Sequence, residues 1–144
     1  MMSMSQIKVH LNLDARDLGK SVTFYRSLLD AEPLKNYDDY ALFVTENPGL
    51  ELALDLDPNA QIGKEHYGLV FDSSEAVYAA NGRLRAAGFE TEVWDTQHCC
   101  YAIQTKIWVN DPDGRRWEVY VVHQETAERG SPVCTVPVES TSSR

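Results

Sequence analysis

The sequence is short of basic charge, short of cysteine and without any long apolar run. Its 144 residues hold 13 Lys and Arg against 22 Asp and Glu, a formal net charge of −9. No basic stripe is available to neutralise phosphates, which argues against a nucleic-acid binder. The same deficit argues against docking on anionic membranes. No apolar run approaches the roughly 18 residues of a membrane span. Met1 to Gln6 lack the charged and apolar regions of a signal peptide, so the expected location is the cytoplasm. Cysteine is limited to Cys99, Cys100 and Cys134, and an odd count of this kind argues against a disulfide framework. What remains is ordinary for a globular protein: 43% hydrophobic and 24% charged residues. The length suits one domain that buries its own core without covalent staples.

Apolar and polar residues alternate through Ile7-Lys8-Val9-His10-Leu11-Asn12-Leu13, the period of a half-buried strand. Asp17 then caps a helix with Leu18, Val22, Tyr25, Leu28 and Leu29 at helical spacing, stopped by Pro33. Tyr40 to Val44 and Leu50 to Leu56 read as strands around the turn Asn47-Pro48-Gly49. The order then repeats. His66 to Phe71 reads as a strand, and Ser73 or Ser74 caps a helix striped with Val77, Ala80, Leu84 and Ala87. Gly88 falls where a left-handed cap belongs. Phe89 to Trp94, Lys106 to Val109 and Trp117 to Val122 read as strands, with a tight turn at Asp111-Pro112-Asp113-Gly114.

The expected fold class is therefore α+β, with two βαβββ modules, one over 7–56 and one over 65–123, inside a domain spanning 1–123. The Ser-, Thr- and Pro-rich stretch over 124–144 has no apolar periodicity and is expected to be a mobile tail. His10 and His66 stand 56 residues apart in the two first strands, and Glu51 and Glu118 stand 67 apart in the two last strands. The second module is thus longer by 11 residues, and the excess is expected as an inserted segment around Asp95 to Thr105 that carries Cys99-Cys100.

His10, Glu51, His66 and Glu118 are two imidazoles and two carboxylates at matched places. Singly, each is equally at home as a solvated strand residue. As a set they fit iron, nickel, zinc or manganese, and two His with one carboxylate is the facial triad of non-haem Fe(II) oxygenases. An unpaired carboxylate at Glu118, within Trp117 to Val122, would be costly to bury. Whether Glu51 is a fourth ligand or faces water stays open. Adjacent side chains on a regular strand point to opposite faces, so Cys99 and Cys100 converge on one atom only outside a regular strand. Their α-carbons lie about 3.8 Å apart, below the usual disulfide range. Two thiols closing on a soft atom is the functional reading, with two incidental cysteines the alternative. His98 beside them would favour the thiolate state or be merely solvated. His123 is expected on the surface after the last strand, and Cys134 in the tail has no evident partner.

Val9-His10-Leu11-Asn12-Leu13, Asp17-Leu18, Ser21 and Phe24-Tyr25 resemble the opening of the vicinal oxygen chelate superfamily. Asp111-Pro112-Asp113-Gly114-Arg115-Arg116-Trp117-Glu118-Val119 resembles its closing motif, so the likeness covers about residues 7 to 123. Cys99-Cys100-Tyr101-Ala102, followed by Gln104, Lys106 and Trp108-Val109, resembles the cadmium-induced-protein and organoarsenical lyase branch. The resemblance implies paired modules in a curved mixed sheet around a metal-binding cleft, and Fe(II) held by His10, His66 and Glu118. It also implies that Cys99 and Cys100 bind the arsenic of a trivalent methyl- or aryl-arsenical. Oxygen would cleave the carbon–arsenic bond and release arsenite, and a homodimer is the expected assembly. That branch commonly has Gln where this chain has His10, and the set of four resembles the metal site of glyoxalase I. A metal-dependent isomerase or another oxygenase, using Ni(II), Zn(II) or Mn(II), is therefore an alternative. A thiol-based protein that binds cadmium or arsenicals is another.

Overall fold

The computed structural model describes residues 7–99 and 102–127. The chain separates into two compact units. The first runs to Gly63 and includes Asp111–Gly114; the second comprises Lys64–Asn110 and the chain from Arg115.

The first unit contains β1 (Val9–Ala15), α1 (Leu18–Leu29), β2 (Lys35–Asn36), β3 (Tyr40–Glu46) and β4 (Gly49–Leu56). Its sheet has the order β1-β4-β3-β2, with β1 parallel to β4 and the other pairs antiparallel. Leu13, Ala15, Ala41, Phe43, Leu52 and Leu54 are buried at alternate positions, on the face that α1 covers with Val22, Tyr25 and Leu28. The Asp17 carboxylate accepts the Lys20 N–H at 3.0 Å, so the expected cap is in place. The helix ends before Pro33, at Asp30, whose φ of 53° is left-handed and suits a short polar side chain. The two-residue β2 has no signature in the sequence, because it is too short for alternation to register.

The second unit repeats the order with β5 (His66–Val70), α2 (Ser74–Ala86), β6 (Thr91–Cys99), β7 (Ala102–Asn110) and β8 (Arg116–Glu125). The sheet order is β5-β8-β7-β6, with β5 parallel to β8. Val77, Ala80 and Leu84 of α2 cover a face built from Ile107, Val109, Trp117, Val119 and Val121. Ser73 is the N-cap of α2, accepting from Ala76 N–H at 3.1 Å. Gly88, with φ 97°, closes the helix: Phe89 N–H donates to the Leu84 carbonyl and Gly88 N–H to that of Arg85.

Two expectations change here. The excess of the second module is not an inserted loop from Asp95 to Thr105. It lengthens β6 and β7 into a long antiparallel pair, and Cys99 is the last residue of β6, across from Ala102. Alternation hid this pairing because the register slips between Trp94 and Gln97, where Thr96 takes a left-handed φ of 47°. His123 lies within β8, exposed, where the register slips a second time opposite Ile103 and Gln104. Cys100, Cys134 and most of the expected tail lie outside the described residues.

The turn Asp111–Gly114 joins two strands of the second unit yet belongs to the first. The buried Tyr25 hydroxyl donates to Asp111 at 2.6 Å, and Arg16 N–H donates to Asp113 at 3.0 Å. Ser21 also donates to Asp113, at 3.4 Å. Gly114 takes φ 96°, the conformation its lack of Cβ permits.

Candidate metal centre

In the first unit, His10 and Glu51 are direct partners in the parallel register of β1 and β4. The His10 Nδ1 atom lies 3.2 Å from Glu51 Oε1. Both side chains project from the sheet face opposite α1, and Glu51 keeps 45% of its side-chain surface exposed. The same face carries Asn12, which donates to Asp55 at 2.8 Å, and Lys8, which pairs with Glu46 at 2.9 Å.

In the second unit, His66 Nε2 lies 3.0 Å from Glu118 Oε2. Here the strand partner of Glu118 is Gly68, and that of His66 is Arg116. The acid is therefore displaced two residues along the strand relative to the first unit. A two-residue displacement preserves the face, so both modules still place imidazole beside carboxylate. Glu118 is the more enclosed acid, 13% exposed, and its other oxygen accepts from Lys106 Nζ at 2.8 Å. Lys106 is 4% exposed along its side chain. Its ammonium lies 5.9, 5.3 and 5.1 Å from the ring centroids of Trp94, Trp108 and Tyr120. Trp108 also meets His66 edge-on at 5.4 Å and lies under the Arg116 guanidinium at 4.3 Å. Burial, with the negative charges of Glu118 and Glu125, raises the Tyr120 pKa above its ordinary value.

Imidazole and carboxylate are donor types that suit a metal ion. Two donors bound about 2.1 Å from one ion at right angles stand about 3 Å apart, close to the 3.0 Å between His66 Nε2 and Glu118 Oε2. Within each unit the described residues bring together one imidazole and one carboxylate, and no third His, Cys, Asp or Glu joins them. His98 Nε2 hydrogen-bonds with Thr126 Oγ1 at 3.0 Å. His123 Nε2 hydrogen-bonds with Thr105 Oγ1 at 2.7 Å. Lys106, Gly68 and the tryptophan wall escape a search for ligand types. The signal that marks Lys106 is a cation inside an apolar strand, which folding tolerates only when the charge is paired.

A βαβββ order repeated in two sheets, with imidazole and carboxylate on matching faces, defines a class that comparison with known proteins names. Residues 8–119 match the Glyoxalase/Bleomycin resistance protein/Dioxygenase superfamily, and the chain belongs to that family. It is 38% identical over 133 residues to the trivalent organoarsenical cleaving enzyme of Bacillus sp. (strain MD1), across 88% of this chain and 81% of that one. It is 41% identical over 128 residues to the cadmium-induced protein CadI of Mycobacterium tuberculosis (strain ATCC 25618 / H37Rv), across 89% and 83%. In fold it is similar to a glyoxalase/bleomycin resistance protein/dioxygenase from Alicyclobacillus acidocaldarius. There the TM-score is 0.64 at 19% identity, over 85% of this chain and 96% of that one. Among the described residues, no helix is long and apolar enough to cross a membrane.

Proposed function

We propose that this protein is a cytoplasmic, Fe(II)-dependent, dioxygenase-type lyase. It cleaves the carbon–arsenic bond of trivalent methyl- or aryl-arsenicals with molecular oxygen and releases arsenite, acting as a homodimer. The observation that carries this reading is the His66–Glu118 pair at 3.0 Å, presented by a chain whose relatives are named for organoarsenical cleavage. His66, Glu118 and His10 would hold the iron, whose chemistry when bound is the activation of oxygen.

The protein's own groups divide the remaining work. Cys99 and Cys100, as thiolates, capture the soft arsenic atom, which hard carboxylate oxygens bind poorly. Lys106 Nζ holds Glu118 Oε1 at 2.8 Å and so fixes where the carboxylate lies. Trp108, buried beside His66, excludes water from the sheet side of that imidazole. Glu51 faces Nδ1 of His10, the place of a carboxylate that orients a metal-binding imidazole, which leaves Nε2 for the metal. Aerobic product analysis with methyl- and phenylarsenite, comparing Fe(II), Ni(II) and Zn(II), tests the reading. Turnover to arsenite is expected with Fe(II) only, and is expected to vanish in Cys99→Ser and Cys100→Ser. Full demethylation by either Ser variant would sink the mechanism, and stoichiometric binding without product would leave a sequestering protein instead.

The same His10–Glu51 contact favours a second reading, in which Glu51 is a fourth ligand of a glyoxalase I-like isomerase. That enzyme would work without oxygen and without the thiols. Glu51→Gln separates the two. An orienting amide still engages His10 and retains most metal affinity, whereas the loss of a ligand removes it.

A further inference from the structure

Lys106 has no part in either reading as a ligand or a thiol partner, yet its side chain is only 4% exposed. A lysine is almost never this enclosed unless its ammonium is paired. Its partner is one oxygen of Glu118, Oε1, at 2.8 Å, while the other oxygen, Oε2, faces His66. The rings of Trp94, Trp108 and Tyr120 surround the ammonium and hold it in place. On the other flank, Glu118 lies over bare backbone. A Cβ at Gly68 would stand 2.9 Å from Glu118 Cγ and 3.3 Å from the Glu118 carbonyl oxygen. The acid therefore runs over Gly68, between ammonium and imidazole.

The first unit lacks this device. Lys106 is the β7 partner of Tyr120, two residues beyond Glu118. The corresponding place in the first sheet, the β3 partner of Ala53 two residues beyond Glu51, is Leu42. Two sheets of one plan thus differ in whether a cation restrains the carboxylate.

We propose that Lys106 is a positioning residue that restricts Glu118 to a single-oxygen ligand. By occupying Oε1 it presents only Oε2 beside His66 Nε2, and Gly68 provides the space that this course requires. The proposal rests on the metal assignment made above. Its consequence is one more coordination position left for substrate or oxygen than a chelating carboxylate would allow.

The test is the infrared difference spectrum of the full chain on anaerobic Co(II) binding, with Glu118→Gln identifying the Glu118 bands. A one-oxygen carboxylate separates its symmetric and antisymmetric stretches widely, and a chelating carboxylate separates them narrowly. The wild type is expected to show the wide separation, and Lys106→Met the narrow one, with its far-UV circular dichroism unchanged. Lys106→Arg keeps the charge but offers a fork that takes both oxygens, so its Co(II) affinity is expected to fall about 10- to 100-fold. A narrow separation in the wild type overturns the proposal even if neither variant folds. So does a wide separation in folded Lys106→Met, or wild-type affinity in Lys106→Arg. In these cases the metal assignment survives. A wild-type spectrum without any Co(II)-dependent Glu118 band overturns the metal assignment and the clamp together.

Discussion

Tyr120 shows how closely single residues around Glu118 are matched to one another. Its ring packs against the Lys106 ammonium, and its phenol is disfavoured from ionising first by burial and then by the charges of Glu118 and Glu125. The folded-state pKa therefore lies above that of the unfolded chain. Below the ordinary tyrosine value of about 10, both states carry the proton and the group is neutral for stability. Above it, the unfolded chain releases a proton that the folded one retains, so stability falls as pH rises. Tyr120→Phe is expected to flatten this alkaline loss in metal-free protein. Chemical unfolding of both proteins between pH 9 and pH 11, values set about the ordinary tyrosine pKa, measures it; parallel curves would refute it. At this scale His10, Glu51, His66 and Glu118 were legible as residue types that alternate within strands. Lys106 and Gly68 were not, because a lysine and a glycine reveal a role only through what lies opposite them.

The strand β7 meets a register slip on each side, one in its pairing with β6 and one in its pairing with β8, and one side chain reconciles the two. Thr105 is fully buried. Its hydroxyl accepts the N–H of Thr96, the left-handed residue of the first bulge, at 3.1 Å. It also hydrogen-bonds with His123, at the second bulge, at 2.7 Å. Thr105→Val has nearly the same shape and removes both bonds, stranding the Thr96 N–H. It is expected to cost about 1–3 kcal/mol, read as a lowered Tm. An unchanged Tm would show that neither bond matters. The helices were legible from the sequence in position and cap, because their amphipathic stripes and the caps Asp17, Ser73 and Gly88 act locally. The length of β6 and β7 was not legible, because bulges break the two-residue period that identifies a strand.

At the scale of the whole molecule, a segment late in the chain completes a unit built from its beginning. The carboxylates of Asp111 and Asp113 serve Tyr25, Ser21 and Arg16, so the first unit is incomplete without the turn. Tyr25→Phe is expected to destabilise the protein by about 1.5–3 kcal/mol, the range for a bond to a charged acceptor, measured by urea unfolding. A chain ending at Gly63 loses both acids and is expected to show no cooperative unfolding by circular dichroism. A sharp transition from that fragment would refute the requirement.

The sequence by itself determined the α+β class, the doubled βαβββ order, the helix caps and the faces on which His10, Glu51, His66 and Glu118 lie. All of these follow from local periodicity and short-range hydrogen bonding. Only the tertiary structure decided that the acids differ in setting, half-exposed at Glu51 and paired with Lys106 at Glu118. It also decided that the turn at Asp111–Gly114 belongs with α1 rather than with the strands it joins. The reason is common to both. A buried carboxylate is tolerated only where donors satisfy it, and for Glu118 and Asp111 a donor comes from 12 and 86 residues away in the chain.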